Sequence, residues 1–304
     1  MTESKIGKLL YSLLTIFLAV TLIFFIIRLS PGDPVERILG PEASLEEIEA
    51  YRTQLGLNLP VLKQYLSFLG GLVKGDLGQS LFKKKDVLEL LKVHMGPTIM
   101  LAFLTVSISA PLGTLMGIWA GFRKSGLADN FLRIFSLLAL SFPIFSLAPI
   151  LVLIFSIKLN LLPVSEWTTW KHTILPVLTL VLPLSSIVSR VSRNKFLEER
   201  SEPWVQVLKA KGLCNRAVLF RLMKVCLPTI LNIVAIQLSV VLAGTMISET
   251  IFDIPGMGLL LFDAISNRDY PIVQGVILYS TVIYMGVYFL IDFVNSIIDP
   301  RIKA

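Results

Sequence analysis

The sequence predicts an all-α, polytopic membrane protein with six transmembrane helices and a helical extracytoplasmic insertion after the first span. Three observations carry that expectation. Of the 304 residues, 54% are hydrophobic and only 16% charged, whereas a soluble domain carries about 25% charged residues. The apolar residues are gathered into blocks: residues 9–27, 97–122, 134–157, 173–189, 225–248 and 270–291 contain no Asp, Glu, Lys or Arg. Crossing a hydrocarbon core about 30 Å thick takes about 20 residues at a rise of about 1.5 Å each, and five windows meet this outright. The fourth, with 17 residues, borrows His172 at one end or lets Arg190 snorkel at the other. None has the polar stripe that helices buried in a soluble core usually keep.

Taken in order, the first window reads as a retained span. Its 19 apolar residues exceed the roughly 7–15 of a secretory signal core, and Ile26-Ile27-Arg28-Leu29-Ser30-Pro31 offers no small-x-small cleavage site. Residues 30–96 are too long for a loop without structure of its own. Ser44 and Glu47 form a capping box that opens a helix over 45–55, Gly56 stops it, and Pro60 begins a second helical stretch through residue 73. Asp86 caps a third helix over 87–93, before Gly96-Pro97 turns the chain into the second span. The chain thus divides into 1–29, the N-terminus and first transmembrane helix; 30–96, an extracytoplasmic helical scaffold; and 97–304, a five-helix core with a cytoplasmic loop at 190–224.

Prolines 97, 111, 143, 149, 176, 183 and 228, with Gly113, Gly117 and Gly244, punctuate the later windows. Proline frees a carbonyl and bends a membrane helix, which is tolerated where neighbouring helices or a wet cavity satisfy the backbone. Gly113-Thr114-Leu115-Met116-Gly117 matches the GxxxG pattern of close helix contact. Glu249 and Asp292 fall just beyond the fifth and sixth windows, where interfacial solvation or a salt link accounts for them. Spans so poor in charge argue against a central ion relay and suit a neutral or bulky solute, or one whose charges are shielded by backbone and hydroxyl groups. Asn232, Gln237, Ser239 and Thr245 are expected to line such a passage, with hydrogen bonding between helices as the competing role for each.

Basic residues set the orientation. With the N-terminus inside, cytoplasmic segments hold Lys5, Lys8, Arg123, Lys124, Arg133, Arg301 and Lys303, and residues 190–224 add nine basic residues against Glu198, Glu199 and Glu202. The short outer loops carry Lys158, Lys171 and Arg268, so the positive-inside rule puts both termini in the cytoplasm. The net charge of +7 is mostly this topology signal, and without interleaved aromatics it does not describe a nucleic-acid surface. Catalytic patterns are missing. There is no GxxxxGK[ST] phosphate loop and no GxSxG elbow, and two histidines with two cysteines build neither HExxH nor CxxC. No cofactor, metal site or catalytic residue is expected, and Cys214 and Cys226 read as a reduced, structurally incidental pair. A membrane-embedded enzyme would need an arrangement outside these patterns.

The loop at 190–224 is the most informative segment. Pro203 suits a first helical turn; Trp204, Val205, Val207 and Leu208 give an apolar side, Lys209 and Lys211 a basic one, and Gly212 ends the helix. A short amphipathic helix of this kind either fits a groove on a soluble partner or lies on anionic lipid.

The run Glu202-Pro203-Trp204-Val205-Gln206-Val207-Leu208-Lys209-Ala210-Lys211-Gly212-Leu213 resembles the coupling motif of membrane subunits in binding-protein-dependent ABC importers, in particular the oligopeptide, dipeptide and nickel permease family. Other segments resemble the same family in the expected order. They are Arg28-Leu29-Ser30-Pro31-Gly32-Asp33-Pro34; Leu55-Gly56-Leu57 with Gln64-Tyr65; Gly75-Asp76-Leu77-Gly78-Gln79-Ser80; Glu249-Thr250-Ile251-Phe252; Ile254-Pro255-Gly256-Met257-Gly258; Arg268-Asp269-Tyr270-Pro271; and Asp299-Pro300-Arg301-Ile302-Lys303. Pro203 and Leu208 depart from the family's usual acid and small residue.

The resemblance implies a multi-pass permease subunit of a bacterial or archaeal plasma (inner) membrane. Its implied partners are a homologous second permease subunit, two cytoplasmic ATPase subunits and an extracytoplasmic solute-binding protein. Glu202, Trp204, Ala210, Lys211, Gly212 and Leu213 would couple this chain to the ATPases. Peptides are the implied substrate, with chelated nickel or another small solute as the alternative.

Overall fold

The computed structural model describes residues 5–30, 32–123, 126–243 and 245–298. The described residues are helical, and the one β feature among them is an isolated bridge between Gln79 and Asp86. Helix α1 covers Lys5–Leu29, α2 Pro34–Leu39, α3 Leu45–Gln54 and α4 Val61–Val73. Next come α5, Val87–Phe122; α6, Leu127–Ser141; and α7, Ile144–Val152, which continues as a π-helical turn over Leu153–Lys158. The remainder is α8, Lys171–Ser201; α9, Pro203–Ala210; α10, Asn215–Leu242; α11, Met246–Ile251; α12, Met257–Asn267; and α13, Tyr270–Ile298.

Among the described residues five helices are long and apolar enough to cross a bilayer: α1, α5, α8, α10 and α13. The third expected span is broken: α6 and the α7 segment meet at a 98° bend and make a sixth span only if counted together. Phe142, the residue before Pro143, is extended (φ −94°, ψ 113°), and Pro143 starts the next helix. Proline's ring disfavours helical geometry in the residue before it. The Gly96-Pro97 turn expected from sequence is absent, and α5 runs through both residues. There the neighbouring packing holds the helix: Thr98 is fully buried, and its Oγ1 accepts the Met257 N–H at 2.9 Å. Helix α8 extends to Ser201 and α10 begins at Asn215, so most of the expected loop at 190–224 is helix.

The chain packs as two compact units, Met1–Thr98 with Pro255–Met285 and Ile99–Ile254 with Gly286–Ala304. In the first, Val87, Leu90 and Leu91 of α5, Met257, Leu260 and Ala264 of α12, and Ile272, Val273 and Val276 of α13 form the core. Gly275 permits this, since a Cβ there would lie 2.5 Å from Val87 Cγ1. The predicted capping box of α3 is present in both directions: Ser44 Oγ accepts the Glu47 N–H, and Glu47 Oε2 accepts the Ser44 N–H at 2.9 Å. Gly56 follows in the left-handed region, φ +69°.

The motif segments of this unit converge. Asp33 Oδ1 caps α2 by accepting the Val35 N–H at 2.9 Å, and its Oδ2 pairs with Arg52 of α3. Gly32 adopts φ +109°, and a Cβ there would fall 2.5 Å from the Arg268 guanidinium carbon. Asp269, 1% exposed, accepts from Ser80 Oγ at 2.5 Å and from the Leu81 and Phe82 N–H groups at 3.2 and 3.3 Å. Arg28 lies 3.5 Å over the Phe24 ring and donates to Gln64 Oε1 at 3.0 Å, while Thr21 shares a 2.7 Å hydrogen bond with Tyr65. Pro31 and residues 299–304 of the remaining motif segments lie outside the described residues, as do Lys124 and Gly244.

In the second unit α5 packs closely on α8. A Cβ on Gly113 would sit 2.5 Å from the Ser185 carbonyl oxygen, one on Gly117 closer still to that of Ser189, and one on Gly121 2.8 Å from Phe196. The small-residue pattern read at Gly113 and Gly117 therefore continues one step further to Gly121. Two cores fill this unit. One includes Leu101, Ala148, Leu175, Leu180 and Phe252; the other joins Val188 and Phe196 of α8, Val205 of α9, and Val218, Leu222 and Cys226 of α10.

Candidate functional site

Helix α9 is built for a short, abrupt course between two long helices. Glu202 is extended (φ −67°, ψ 144°), and Pro203 occupies the first turn, where a missing N–H costs nothing. At the other end the Gly212 N–H donates to the Lys209 carbonyl at 2.9 Å, and the Leu213 N–H reaches back to the Leu208 carbonyl at 3.2 Å. With Gly212 at φ +78°, this pair of bonds is a Schellman motif, in which a left-handed residue satisfies the last carbonyls and lets the chain turn. Leu208 and Leu213, the two positions whose apolar side chains accompany such motifs, both pack on the core of α8 and α10, as does Trp204. Leucine at position 208 thus has a packing role.

The helix is two-faced. Val205 is buried and Trp204, Leu208 and Leu213 are half-buried, while Glu202, Lys209, Ala210, Lys211 and Gly212 are exposed. Among the sequence-predicted coupling residues the structure therefore separates two groups. Trp204 and Leu213 hold α9 to its neighbours, whereas Glu202, Ala210, Lys211 and Gly212 form an outward edge. Among the described residues no atom beyond the adjacent residues lies within 4 Å of a Cβ placed on Gly212. Beside α9 is a shallow groove of about 450 Å³, lined by Trp204, Val207, Leu208, Arg221, Lys224 and Val225. Its walls are apolar and its rim is basic.

The C-terminal part of α8 is fastened by charge. Asp129 of α6, 1% exposed, receives Arg193 Nε at 2.5 Å and Nη2 at 2.9 Å, a bidentate pair, and Arg133 at 3.3 Å. Lys195 reaches Glu199 at 2.8 Å. Arg200 donates to the carbonyls of Gly121 and Phe122 at 3.1 and 2.9 Å, placing a cation on the unsatisfied C-terminal carbonyls of α5. Sequence reading found these arginines only as topology markers. The spacing of Arg193 and Arg200, two turns apart on a helix, was the available signal.

The four passage candidates scatter. Gln237 and Ser239 are buried in α10, where Gln237 Nε2 donates to the Leu184 carbonyl at 3.3 Å and Ser239 Oγ to that of Ala235 at 3.0 Å. Asn232 is exposed on α10, and Thr245 stands at the start of α11, beyond the end of the fifth span at Leu242. Glu249, expected at a solvated interface, is instead fully buried in α11. The span ends earlier than its charge-free window, and α11 packs against α7 and α8.

Comparison with known proteins agrees with this architecture. Residues 113–304 match the family described as binding-protein-dependent transport system inner membrane component, and residues 1–102 match its N-terminal component. The chain is 36% identical over 290 residues to the probable peptide ABC transporter permease protein y4tP of Sinorhizobium fredii (strain NBRC 101917 / NGR234), covering 92% of this chain and 93% of that one. It is 30% identical over 305 residues to the glutathione transport system permease protein GsiC of Escherichia coli (strain K12), covering 100% and 99%. A chain from inward-facing conformations of the MetNI methionine ABC transporter superposes with a TM-score of 0.54 at 14% identity, covering 70% of this chain and 97% of that one. That likeness concerns the fold. The chain belongs to the family of inner membrane components of binding-protein-dependent transport systems, as the permease subunit of an ABC importer, with no ATPase site of its own.

Proposed function

We propose that this subunit, paired with a homologous second permease subunit, forms a passage for small peptides handed over by an extracytoplasmic solute-binding protein. Two cytoplasmic ATPases drive it through α9, and both termini lie in the cytoplasm. The outward edge of α9 carries this reading. Ala210, Lys211 and Gly212 are exposed on a turn whose inner side is locked by a Schellman motif and by Val205, so a push on the edge moves α8 and α10 together. Rigid-body switching of packed helices is a known way to alternate access. The relatives named for peptide and glutathione transport support a peptide substrate. On this reading residues 30–96 serve as the scaffold toward the binding protein and the partner subunit, and Asn232, Gln237, Ser239 and Thr245 are the polar groups nearest the passage.

The test is uptake by the complete transporter in proteoliposomes. Lys211→Glu and Gly212→Pro should abolish ATP-driven uptake while membrane insertion of the subunit stays at the wild-type level. Uptake that survives both changes would remove α9 from the coupling route. Binding of a peptide library to the cognate solute-binding protein tests the substrate class separately.

A further inference from the structure

A second charged site lies away from α9, between α6 and α8. A cavity of about 320 Å³ is lined by Arg133, Arg190, Arg193, Asn194, Ser136, Leu132 and Leu137. Of its three guanidinium groups two contact a carboxylate, Asp129, which is buried and already holds Arg193 by two bonds. Arg133 touches Asp129 only at 3.3 Å and is 68% exposed, and Arg190 is exposed with no carboxylate in ion-pair range among the described residues. The cavity therefore keeps uncompensated positive charge. Ser136, 4% exposed, lines it too, and its hydroxyl has no hydrogen-bond partner among the described residues. A buried hydroxyl left unbonded costs free energy that an incoming acceptor restores.

Depth identifies the kind of anion. Arg133 immediately precedes the charge-free window that starts at residue 134, and Arg190 immediately follows the one that ends at residue 189. Both therefore mark the level where hydrocarbon gives way to headgroups. Leu132 and Leu137 supply apolar wall on the same cavity. A soluble anion needs no such wall, whereas a phospholipid presents a phosphate and acyl chain at this depth. Basic pockets between membrane helices are suited to lipid headgroups, and guanidinium groups bind phosphate oxygens in pairs.

We infer that the cavity between α6 and α8 binds the phosphate of an anionic phospholipid, with Arg133 and Arg190 as the phosphate ligands and Ser136 as a donor. Arg193 is committed to Asp129 and shapes the floor. The bound lipid would brace the first half of the broken span against α8.

The purified full-length chain, stripped of lipid in detergent, is titrated with phosphatidylglycerol, phosphatidylcholine and inorganic phosphate and read by native mass spectrometry. Phosphatidylglycerol should be retained in preference to phosphatidylcholine. Arg190→Gln, which breaks no internal bond, should weaken its retention about fivefold, and Arg133→Gln with Arg190→Gln about thirtyfold. Equal retention of both lipids, or no change in the variants, overturns the proposal. Competition by millimolar inorganic phosphate at full strength overturns the lipid assignment, because the apolar wall would then contribute nothing. Loss of the lipid on assembly with the second permease subunit would assign the cavity to a protein contact and overturn it equally.

Discussion

The motif cluster of the first unit and the α9 turn are both dense in residues that resemble the permease family, yet the fold uses them differently. In the cluster nearly every motif residue has an internal job: Gly32 makes room for Arg268, Asp33 caps α2 and holds Arg52, and Asp269 collects three donors from residues 80–82. At the turn Ala210, Lys211 and Gly212 face outward, and only Trp204, Val205, Leu208 and Leu213 are engaged by the core. A motif residue with internal partners is explained by folding. One without them is explained by something outside the chain.

The largest effect should come from the cluster. Asp269→Ala strips a buried carboxylate from Ser80 Oγ and two backbone N–H groups, and stranded buried donors cost about 1–3 kcal/mol each. The subunit should lose several degrees of melting temperature in detergent, or fail to accumulate, and uptake should fall in proportion to the folded fraction. A well-folded Asp269→Ala subunit that has lost transport alone would place Asp269 with the outward-facing residues and dissolve the contrast.

A smaller structural effect with a larger functional one is expected at the turn. Gly212→Ala meets no neighbouring atom, so its cost is that of a left-handed alanine, about 1 kcal/mol. Lys211→Ala should cost less than about 0.5 kcal/mol, as exposed substitutions usually do. Uptake by the complete transporter should nonetheless drop about tenfold or more for either change. Melting curves of the subunit alone, set beside uptake by the assembly, separate the two quantities. Equal losses in both measurements would reduce the turn to a structural feature.

Sequence reading recovered what local chemistry dictates: the charge-free windows, the Ser44–Glu47 box, the Gly56 stop, and the Pro203 start and Gly212 end of α9. It failed where neighbours decide. Each proline presents the same local cost, about 3 kcal/mol inside a helix, yet Pro97, Pro111, Pro149, Pro176, Pro183 and Pro228 lie within helices and Pro143 marks a 98° break. At Pro97 the packing of Thr98 against the Met257 N–H is visible only in three dimensions. Windows free of charge also mark where charge is absent rather than where helices end. For that reason the windows make α8 too short and the fifth span too long, and they put Glu249 at an interface, whereas it lies buried in α11. The partners of Asp269 are about 190 positions away, beyond any pattern in one segment. The outward edge of α9 was legible because a helix of eight residues between Pro203 and Gly212 shows its two faces in its own sequence.

The smallest effect tests whether the cluster's surface contacts share the character of its buried ones. Glu47 is fully exposed, and the Ser44 backbone N–H, then the Ser44 hydroxyl, hold its carboxyl below the ordinary carboxylate range. A depressed folded value means that the ionised form is favoured by folding. Its contribution is therefore complete above the ordinary carboxylate pKa and fades as pH falls through the lowered one. Glu47→Gln keeps the capping geometry, since Gln also serves at this position, but removes the charge next to the start of α3, where the helix dipole favours an anion. The wild-type chain should melt slightly above Glu47→Gln at neutral pH, and the gap should close as the solution is acidified through the carboxylate range. A gap that stays constant with pH would mean that the side chain's shape, and not its charge, is what α3 uses. The exposed edge of the cluster would then rest on neutral contacts, unlike Asp269 and Asp33 in its interior.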